Sequence, residues 1–131
     1  MWCYNLVAVF NKERTKMLMC KRIKNPYLGL INMVGGKIEE DEEHESAAYR
    51  ELFEETGITR EQIKLTHLMD LTYYLDSCYV EVYVGKLNCE ARVVGNENPL
   101  FWSDFEHNFF DMDEYAGEGN IGHIMEHIRM Y

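Results

Sequence analysis

A chain of 131 residues with 47% hydrophobic content is long enough for one domain with a single core and too short for two. Its formal net charge of −10 excludes a general basic surface, so duplex nucleic acid and anionic membranes are not expected as partners. The longest apolar runs fall well short of the roughly 18 residues that span a bilayer, and the first residues lack a secretory pattern, so we expect a cytoplasmic protein. Four separated cysteines without a C-x-x-C pair are expected to be buried, reduced thiols: Cys3, Cys20, Cys78 and Cys89.

The first third of the chain predicts a β-hairpin followed by a loop. Residues 4–10 and 16–20 are apolar or β-prone, and the polar run 11–14 separates them as a turn. A loop is predicted over 25–29, and residues 31–34 predict a brief strand that ends at two glycines.

A helix is the clearest element of the middle of the chain. Residues 43–56 contain no Gly or Pro and carry acids in the first turn, and Gly57 supplies a C-terminal stop. Residues 64–75 and 79–87 alternate in the manner of half-buried strands and predict a second antiparallel pair.

The last third predicts a short strand and a closing helix. Residues 95–99 indicate a loop, residues 100–102 a strand, and residues 121–131 an amphipathic helix. The apolar side of that helix comprises Ile121, Ile124, Met125 and Ile128. Strands that precede and follow a central helix favour an α+β sandwich over a doubly wound parallel sheet.

Charge is concentrated on the central helix and its approach. Between Glu39 and Glu55 there are nine acids and one arginine, Arg50. Residues three and four apart share a helix face, so Glu51 lies beside both Glu54 and Glu55. Three neighbouring carboxylates repel one another, and a hard divalent ion such as Mg²⁺, which prefers carboxylates, water and phosphate oxygens, resolves the conflict.

The spacing of these residues fits G-x5-E-x7-R-E-U-x-E-E-x-G-U, where U is a bulky aliphatic residue, at every specified position. The matching residues are Gly36, Glu42, Arg50, Glu51, Leu52, Glu54, Glu55, Gly57 and Ile58. The segment resembles the signature of the Nudix hydrolase family, whose context is a strand, a loop, a helix and a loop. One difference is Asp41, which stands where many members have glycine before the first glutamate.

The resemblance implies an α/β/α sandwich with a mixed β-sheet, and hydrolysis of a nucleoside diphosphate linked to another moiety with Mg²⁺ or Mn²⁺. It implies that the metal is held by Glu51, Glu54, Glu55 and the backbone carbonyl of Gly35 or Gly36, of which we predict Gly36. Arg50 is then expected to orient a glutamate through a salt bridge. The residues expected to be catalytic are Glu54, Glu51, Arg50 and Glu97; a loop-surface role explains Glu97 equally well.

Substrate contacts are predicted at four positions outside these glutamates. Arg22 and Lys37 are cations beside an acidic site and are expected to meet phosphate oxygens, but simple solvent exposure explains Lys37 equally well. Asn32 lies in an N-x-x-G-G-K run similar to that of oxidised-purine nucleotide hydrolases, whose asparagine binds the base. Asn120 resembles the purine-reading asparagine of MutT-type enzymes, but a helix-capping role is the stronger interpretation.

These features predict a MutT-type enzyme that converts a nucleoside triphosphate, with oxidised purine nucleotides among the candidates, to a monophosphate and pyrophosphate. Dinucleoside polyphosphate hydrolases of the family tend to carry a tyrosine about where Tyr73 and Tyr74 stand, so that substrate stays open, although ordinary strand packing explains both tyrosines equally well. ADP-ribose ranks third among the candidate substrates, because ADP-ribose hydrolases typically show a proline near that position and this chain has none there. A module that senses nucleotides without turnover is the remaining alternative, and the chain is expected to be a monomer or homodimer.

Overall fold

The computed structural model describes residues 2–130. In chain order its elements are β1 (Trp2–Phe10), β2 (Met17–Lys21), β3 (Ile31–Asn32), α1 (His44–Thr56), β4 (Thr66–Tyr73), β5 (Cys78–Lys86), β6 (Leu100–Ser103) and α2 (Asn120–Arg129). Every predicted helix and strand within this part of the chain is present, and the observed ends lie within two residues of the predicted ends. The predicted end of the last helix at Tyr131 lies outside the described residues.

The strands form one mixed sheet in which β1 is central. β1 runs parallel to β5 over its whole length, from Trp2 beside Cys78 to Phe10 beside Lys86. β4 is antiparallel to β5, and β2 is antiparallel to β1, β3 and β6. Both predicted antiparallel pairs are therefore confirmed, and the parallel pairing of β1 with β5 joins them.

Each face of the sheet is covered by one helix and has its own apolar core. Along β1, Val7 and Val9 belong to the core that includes Leu52 of α1, whereas Ala8 and Phe10 belong to the core that includes α2. This alternation follows from the two-residue period of a strand. The α+β sandwich with a mixed sheet is confirmed.

The glycine segment before α1 runs along the edge of β1 that β2 leaves free. The Val34 carbonyl accepts the Val7 N–H (2.8 Å), and the Gly36 carbonyl accepts the Asn5 N–H (2.8 Å). Gly35 has φ 153°, and a Cβ there would collide with the backbone carbonyl of Asn5, so only glycine permits this close approach. The segment is thereby fixed over the acidic face of α1.

The prediction that all four cysteines are buried is wrong for three of them. All four cysteines are free thiols, but only Cys20 is fully buried, because Cys3, Cys78 and Cys89 lie near strand ends and are partly exposed. Among residues 2–130, neither helix has the length and apolar character required to cross a membrane.

Candidate active site

Two carboxylates of α1 are buried against the glycine segment. Glu51 is 8% exposed and Glu55 is 6% exposed, whereas the Glu54 side chain is 50% exposed. Gly35 N–H donates to Glu55 Oε2 at 3.1 Å. A Cβ on Gly36 would lie 2.5 Å from the Glu51 carboxylate, so this turn forms a cradle in direct contact with both side chains.

The electrostatics of the pair reflect burial and mutual repulsion. Burial raises the pKa of Glu55 to about 7, the Gly35 hydrogen bond opposes the shift, and the charges of Glu97 and Glu51 add to it. Burial also raises the pKa of Glu51, against the lowering effect of Arg50. Glu97 is exposed on its loop, and its negative charge contributes to the raised pKa of both carboxylates.

Arg50 links the carboxylates of this region through one guanidinium group. It donates to Glu42 at 2.5 and 2.8 Å, to Glu51 at 3.0 Å and to Glu54 at 3.2 Å. It also donates to the backbone carbonyl of Lys37 at 3.2 Å. The hydrogen bond from Arg50 lowers the pKa of Glu42, and the fork-shaped group ties the loop before α1 to the helix.

Asp41, the departure from the family pattern, occupies the backbone region that favours glycine. Its φ is 68°, which asparagine and aspartate tolerate better than most side chains. The turn forms without glycine and brings Glu42 into contact with Arg50.

The oxygen donors of this region are of the kind that a hard cation prefers, but they do not form a closed ligand shell. Within residues 2–130, no three His, Cys, Asp or Glu side chains are gathered closely enough to hold a metal ion. The Glu54 carboxylate is turned toward Arg50. Two buried, mutually repelling carboxylates nevertheless form an oxygen-rich donor set that a divalent ion would stabilise.

A cavity of about 600 Å³ opens beside the buried carboxylates. Its lining includes Gly35, Gly36 and Glu55. The four predicted substrate-binding residues, Arg22, Asn32, Lys37 and Asn120, also line this cavity. A space of this size suits a small-molecule ligand of nucleotide dimensions.

The two cations are held by neighbours at the cavity wall. Lys37 Nζ lies 4.1 Å from the centroid of the Trp2 ring. Arg22 Nε donates to the carbonyl of Pro26 at 3.3 Å, and the positive charge of Arg22 lowers the pKa of Glu55. Both groups therefore bring positive charge to the acidic end of the cavity.

The expected capping role of Asn120 is wrong. Gly119 occupies the N-cap position with φ 89°, and no side chain caps the helix. Asn120 is the first residue inside α2, and its Nδ2 donates to Tyr73 Oη at 2.9 Å. The Asn120 side chain is therefore part of the cavity wall.

Asn5 and the contact between Tyr27 and Glu118 were missed in the sequence, whereas Tyr73 was among the candidate residues. Asn5 is 1% exposed and its Oδ1 accepts the Gly36 N–H at 3.0 Å, while its Nδ2 has no hydrogen-bond partner in the described structure. Tyr27 Oη donates to the Glu118 carboxylate at 2.8 and 2.9 Å. Tyr73 lines the cavity. A polar residue inside an apolar strand was the available signal for Asn5.

The aromatic residues of this region differ in where they lie. Tyr27 and Tyr73 line the cavity, whereas Tyr74 is 82% exposed on the turn after β4. Trp102 packs against the core under α1 and Phe101 lies on the outer face of β6, so neither lines the cavity.

Solved structures share this fold over nearly the whole chain. A structure of the Caenorhabditis elegans Ap4A hydrolase matches with a TM-score of 0.78 at 21% identity, covering 99% of this chain and 96% of that one. The dihydroneopterin triphosphate pyrophosphohydrolase of Escherichia coli matches with a TM-score of 0.74 at 21% identity, covering 98% and 96%. A MutT structure from work on Aliivibrio salmonicida and Vibrio cholerae gives 0.71 at 20% identity, covering 99% and 98%. A comparison with curated proteins gives no match.

The sandwich and its acidic helix support assignment to the pyrophosphohydrolases, a class of enzyme that cleaves phosphoric anhydrides. The model of the NUDIX domain matches residues 4–127, and the chain belongs to the Nudix family. Members of this family generally use divalent metal cations.

Proposed function

We propose that the chain acts as one Nudix domain that hydrolyses a nucleoside triphosphate to a monophosphate and pyrophosphate, with oxidised purine nucleotides among the candidates. The observation that carries this proposal is the cavity itself. Its lining joins the glycine turn and Glu55 to two asparagine amides, Asn32 and Asn120. A phosphate-binding end and a base-binding end therefore share one space.

The metal, Mg²⁺ or Mn²⁺, is proposed to be held by Glu51, Glu54 and Glu55 with one backbone carbonyl. The Gly36 carbonyl already accepts the Asn5 N–H at 2.8 Å, which favours Gly35 for this role over the Gly36 that the family resemblance led us to predict. When bound, the ion neutralises phosphate charge and polarises the anhydride.

The protein side chains are proposed to divide the remaining work. Arg50 holds Glu51 and Glu54 in place through its guanidinium group. Glu54, which is half-exposed, and Glu97, whose charge acts on Glu55, are proposed to accept a proton from the attacking water. Arg22 and Lys37 are proposed to bind phosphate oxygens at the cavity wall.

A dinucleoside polyphosphate is the second candidate substrate. Tyr73 lies in the cavity lining, as a base-contacting tyrosine would, and the likeness to an Ap4A hydrolase covers nearly the whole chain. Trp2, which lines the cavity and is 56% exposed, is available to stack on a second base.

Release of phosphate or pyrophosphate from a nucleotide panel with Mg²⁺ tests the proposal. The panel should contain the four common triphosphates, 8-oxo-dGTP, Ap4A and ADP-ribose. Turnover of a triphosphate with pyrophosphate as product supports it, and preferential cleavage of Ap4A favours the second candidate. Binding without turnover across the panel contradicts both and indicates a nucleotide-sensing module. A cytoplasmic location and a monomeric or homodimeric state stay predictions.

A further inference from the structure

The side chain of Asn120 is held by a relay of two hydrogen bonds in the cavity wall. Tyr73 Oη donates to the carbonyl of Gly117 at 3.1 Å, and Asn120 Nδ2 donates to Tyr73 Oη at 2.9 Å. A phenol has one proton and a carbonyl can only accept, so Tyr73 offers Asn120 a lone pair. The amide of Asn120 must therefore turn its NH₂ group toward Tyr73.

The orientation leaves the carbonyl oxygen of Asn120 for a ligand. Asn120 lines the cavity, and its Oδ1 takes part in no hydrogen bond among residues 2–130. A fixed acceptor at this point favours a ligand that brings a donor. A ligand that brings an acceptor would face a lone pair and lose the hydrogen bond.

The amide of Asn32 is fixed by its oxygen, whereas the amide of Asn120 is fixed by its nitrogen. Its Oδ1 accepts the N–H of Met33 at 2.8 Å, so its Nδ2 is the group that remains for the cavity. The cavity therefore presents one amide acceptor and one amide donor, each with its polarity set by a protein contact. A nucleobase edge carries groups of both kinds.

The loop that supports the relay is anchored on a second side. Its three consecutive residues have positive φ, at 87° for Gly117, 54° for Glu118 and 89° for Gly119. The carboxylate of Glu118 accepts the Tyr27 hydroxyl. Two tyrosines from different parts of the chain thus hold the loop, so the relay is organised before a ligand arrives.

We propose that Tyr73 is a positioning residue that fixes the polarity of the Asn120 amide, so that the base end of the cavity selects nucleobases presenting an N–H donor there. The inference rests on the proposed function in one respect, that the ligand of the cavity is a nucleotide. Tyr73 acts through Asn120 and not by contact with the reacting phosphates, because its hydroxyl is committed to Gly117 and Asn120.

The test measures affinities by calorimetry with monophosphates, the expected products, so that it does not depend on turnover. One member of each compared pair carries an additional N–H donor: AMP with purine riboside monophosphate, GMP with IMP, IMP with purine riboside monophosphate, and 8-oxo-GMP with GMP. In the last two pairs that member also carries an additional carbonyl acceptor. We expect the wild-type protein to bind the donor-bearing member of at least one pair about tenfold more tightly, as one hydrogen bond predicts. Tyr73→Phe should reduce that ratio below about threefold, since the amide can then rotate.

Two controls separate positioning from general damage. Tyr74→Phe changes the adjacent, exposed tyrosine and should leave the ratio unchanged. Asn120→Ala should abolish the preference by itself, and adding Tyr73→Phe to it should change nothing further, because the tyrosine acts through the missing amide. Thermal melts confirm that each variant is folded.

Equal affinity for both members of every pair in the wild-type protein overturns the proposal, as does a preference that survives Tyr73→Phe. A Tyr73→Phe effect of equal size in the Asn120→Ala background also overturns it. Failure of the proposed function is a separate result, in which no nucleotide is hydrolysed while the affinity ratios still decide the role of Tyr73.

Discussion

At the scale of single residues, the site depends on backbone conformations as much as on side-chain chemistry. Asp41 adopts a left-handed conformation at the turn before Glu42. An L residue in that region costs about 1–2 kcal/mol, less for aspartate, and glycine adopts it without steric penalty. The chain therefore tolerates a local strain at this turn.

Asp41→Gly should raise the free energy of unfolding by about 0.5–1 kcal/mol, because the relieved strain exceeds the added entropy of the unfolded chain. Thermal denaturation measures the change. Glu40→Gly, one residue earlier and outside the set of positive-φ residues, is the matched control and should not stabilise the protein. A stability loss in Asp41→Gly would show that the aspartate side chain contributes more than its backbone costs.

Arg50 is the other residue whose exact chemistry matters. A lysine at this position has one ammonium group and cannot serve Glu42, Glu51 and Glu54 together. We expect Arg50→Lys to lower kcat by about tenfold to a hundredfold with a smaller change in KM, as for loss of an orienting group. Arg60→Lys, which alters an arginine stacked on Tyr49, provides a control that should retain activity. Full activity of Arg50→Lys would remove Arg50 from the proposed machinery.

At the scale of elements, the helix and the glycine turn form one unit. Gly36 has an ordinary φ, yet a Cβ there would lie 2.5 Å from the Glu51 carboxylate. The glycine is needed for the space it leaves to that side chain, while Gly35 is needed for close approach to β1.

Gly36→Ala should therefore displace the Glu51 carboxylate and weaken Mn²⁺ binding by at least tenfold, while the helices and sheet remain folded. Calorimetry and circular dichroism measure the two effects. Gly29→Ala introduces a Cβ at φ 83° into open space, so it should cost stability and leave metal affinity intact. Equal metal affinity in Gly36→Ala and wild type would contradict the proposed ligand role of Glu51.

Local patterns predicted the elements well, and contacts between distant segments account for what they missed. The composition and charge of residues 43–56, together with Gly57, predicted α1. The Gly57 N–H donates to the carbonyl of Phe53 at 2.9 Å and ends the helix. The parallel pairing of β1 with β5 has no local signature, since parallel strands are joined by long connections. The relay from Gly117 through Tyr73 to Asn120 spans 44 and 47 residues, so spacing along the chain gave no sign of it.

At the scale of the whole molecule, the acidic site opposes the stability of the fold. Burial and the neighbouring carboxylates raise the pKa of Glu55 from its ordinary 4.5 to about 7, so stability is lost progressively as the pH rises from about 4.5 to about 7 and the full penalty applies above that range. The sign follows from the raised pKa, because the folded protein holds the proton more tightly than the unfolded chain.

Glu55→Gln should accordingly raise the free energy of unfolding by about 1–3 kcal/mol at pH 8 in EDTA. Glutamine can still accept the Gly35 N–H, and it removes a buried charge. Thermal melts compare it with Glu54→Gln, whose half-exposed side chain should give little change. A less stable Glu55→Gln protein would show that the carboxylate is stabilised in a way that its burial does not explain.

The most direct test of the central claim is a calorimetric titration of the protein with Mn²⁺ and with Mg²⁺, in the presence of a nucleoside triphosphate analogue that resists hydrolysis. Glu51, Glu54 and Glu55 are expected to bind the cation together with the phosphates, so the wild-type protein should bind metal and Glu51→Gln should bind it at least tenfold more weakly. Absence of metal binding in the wild-type protein, or equal affinity in Glu51→Gln, would contradict the account.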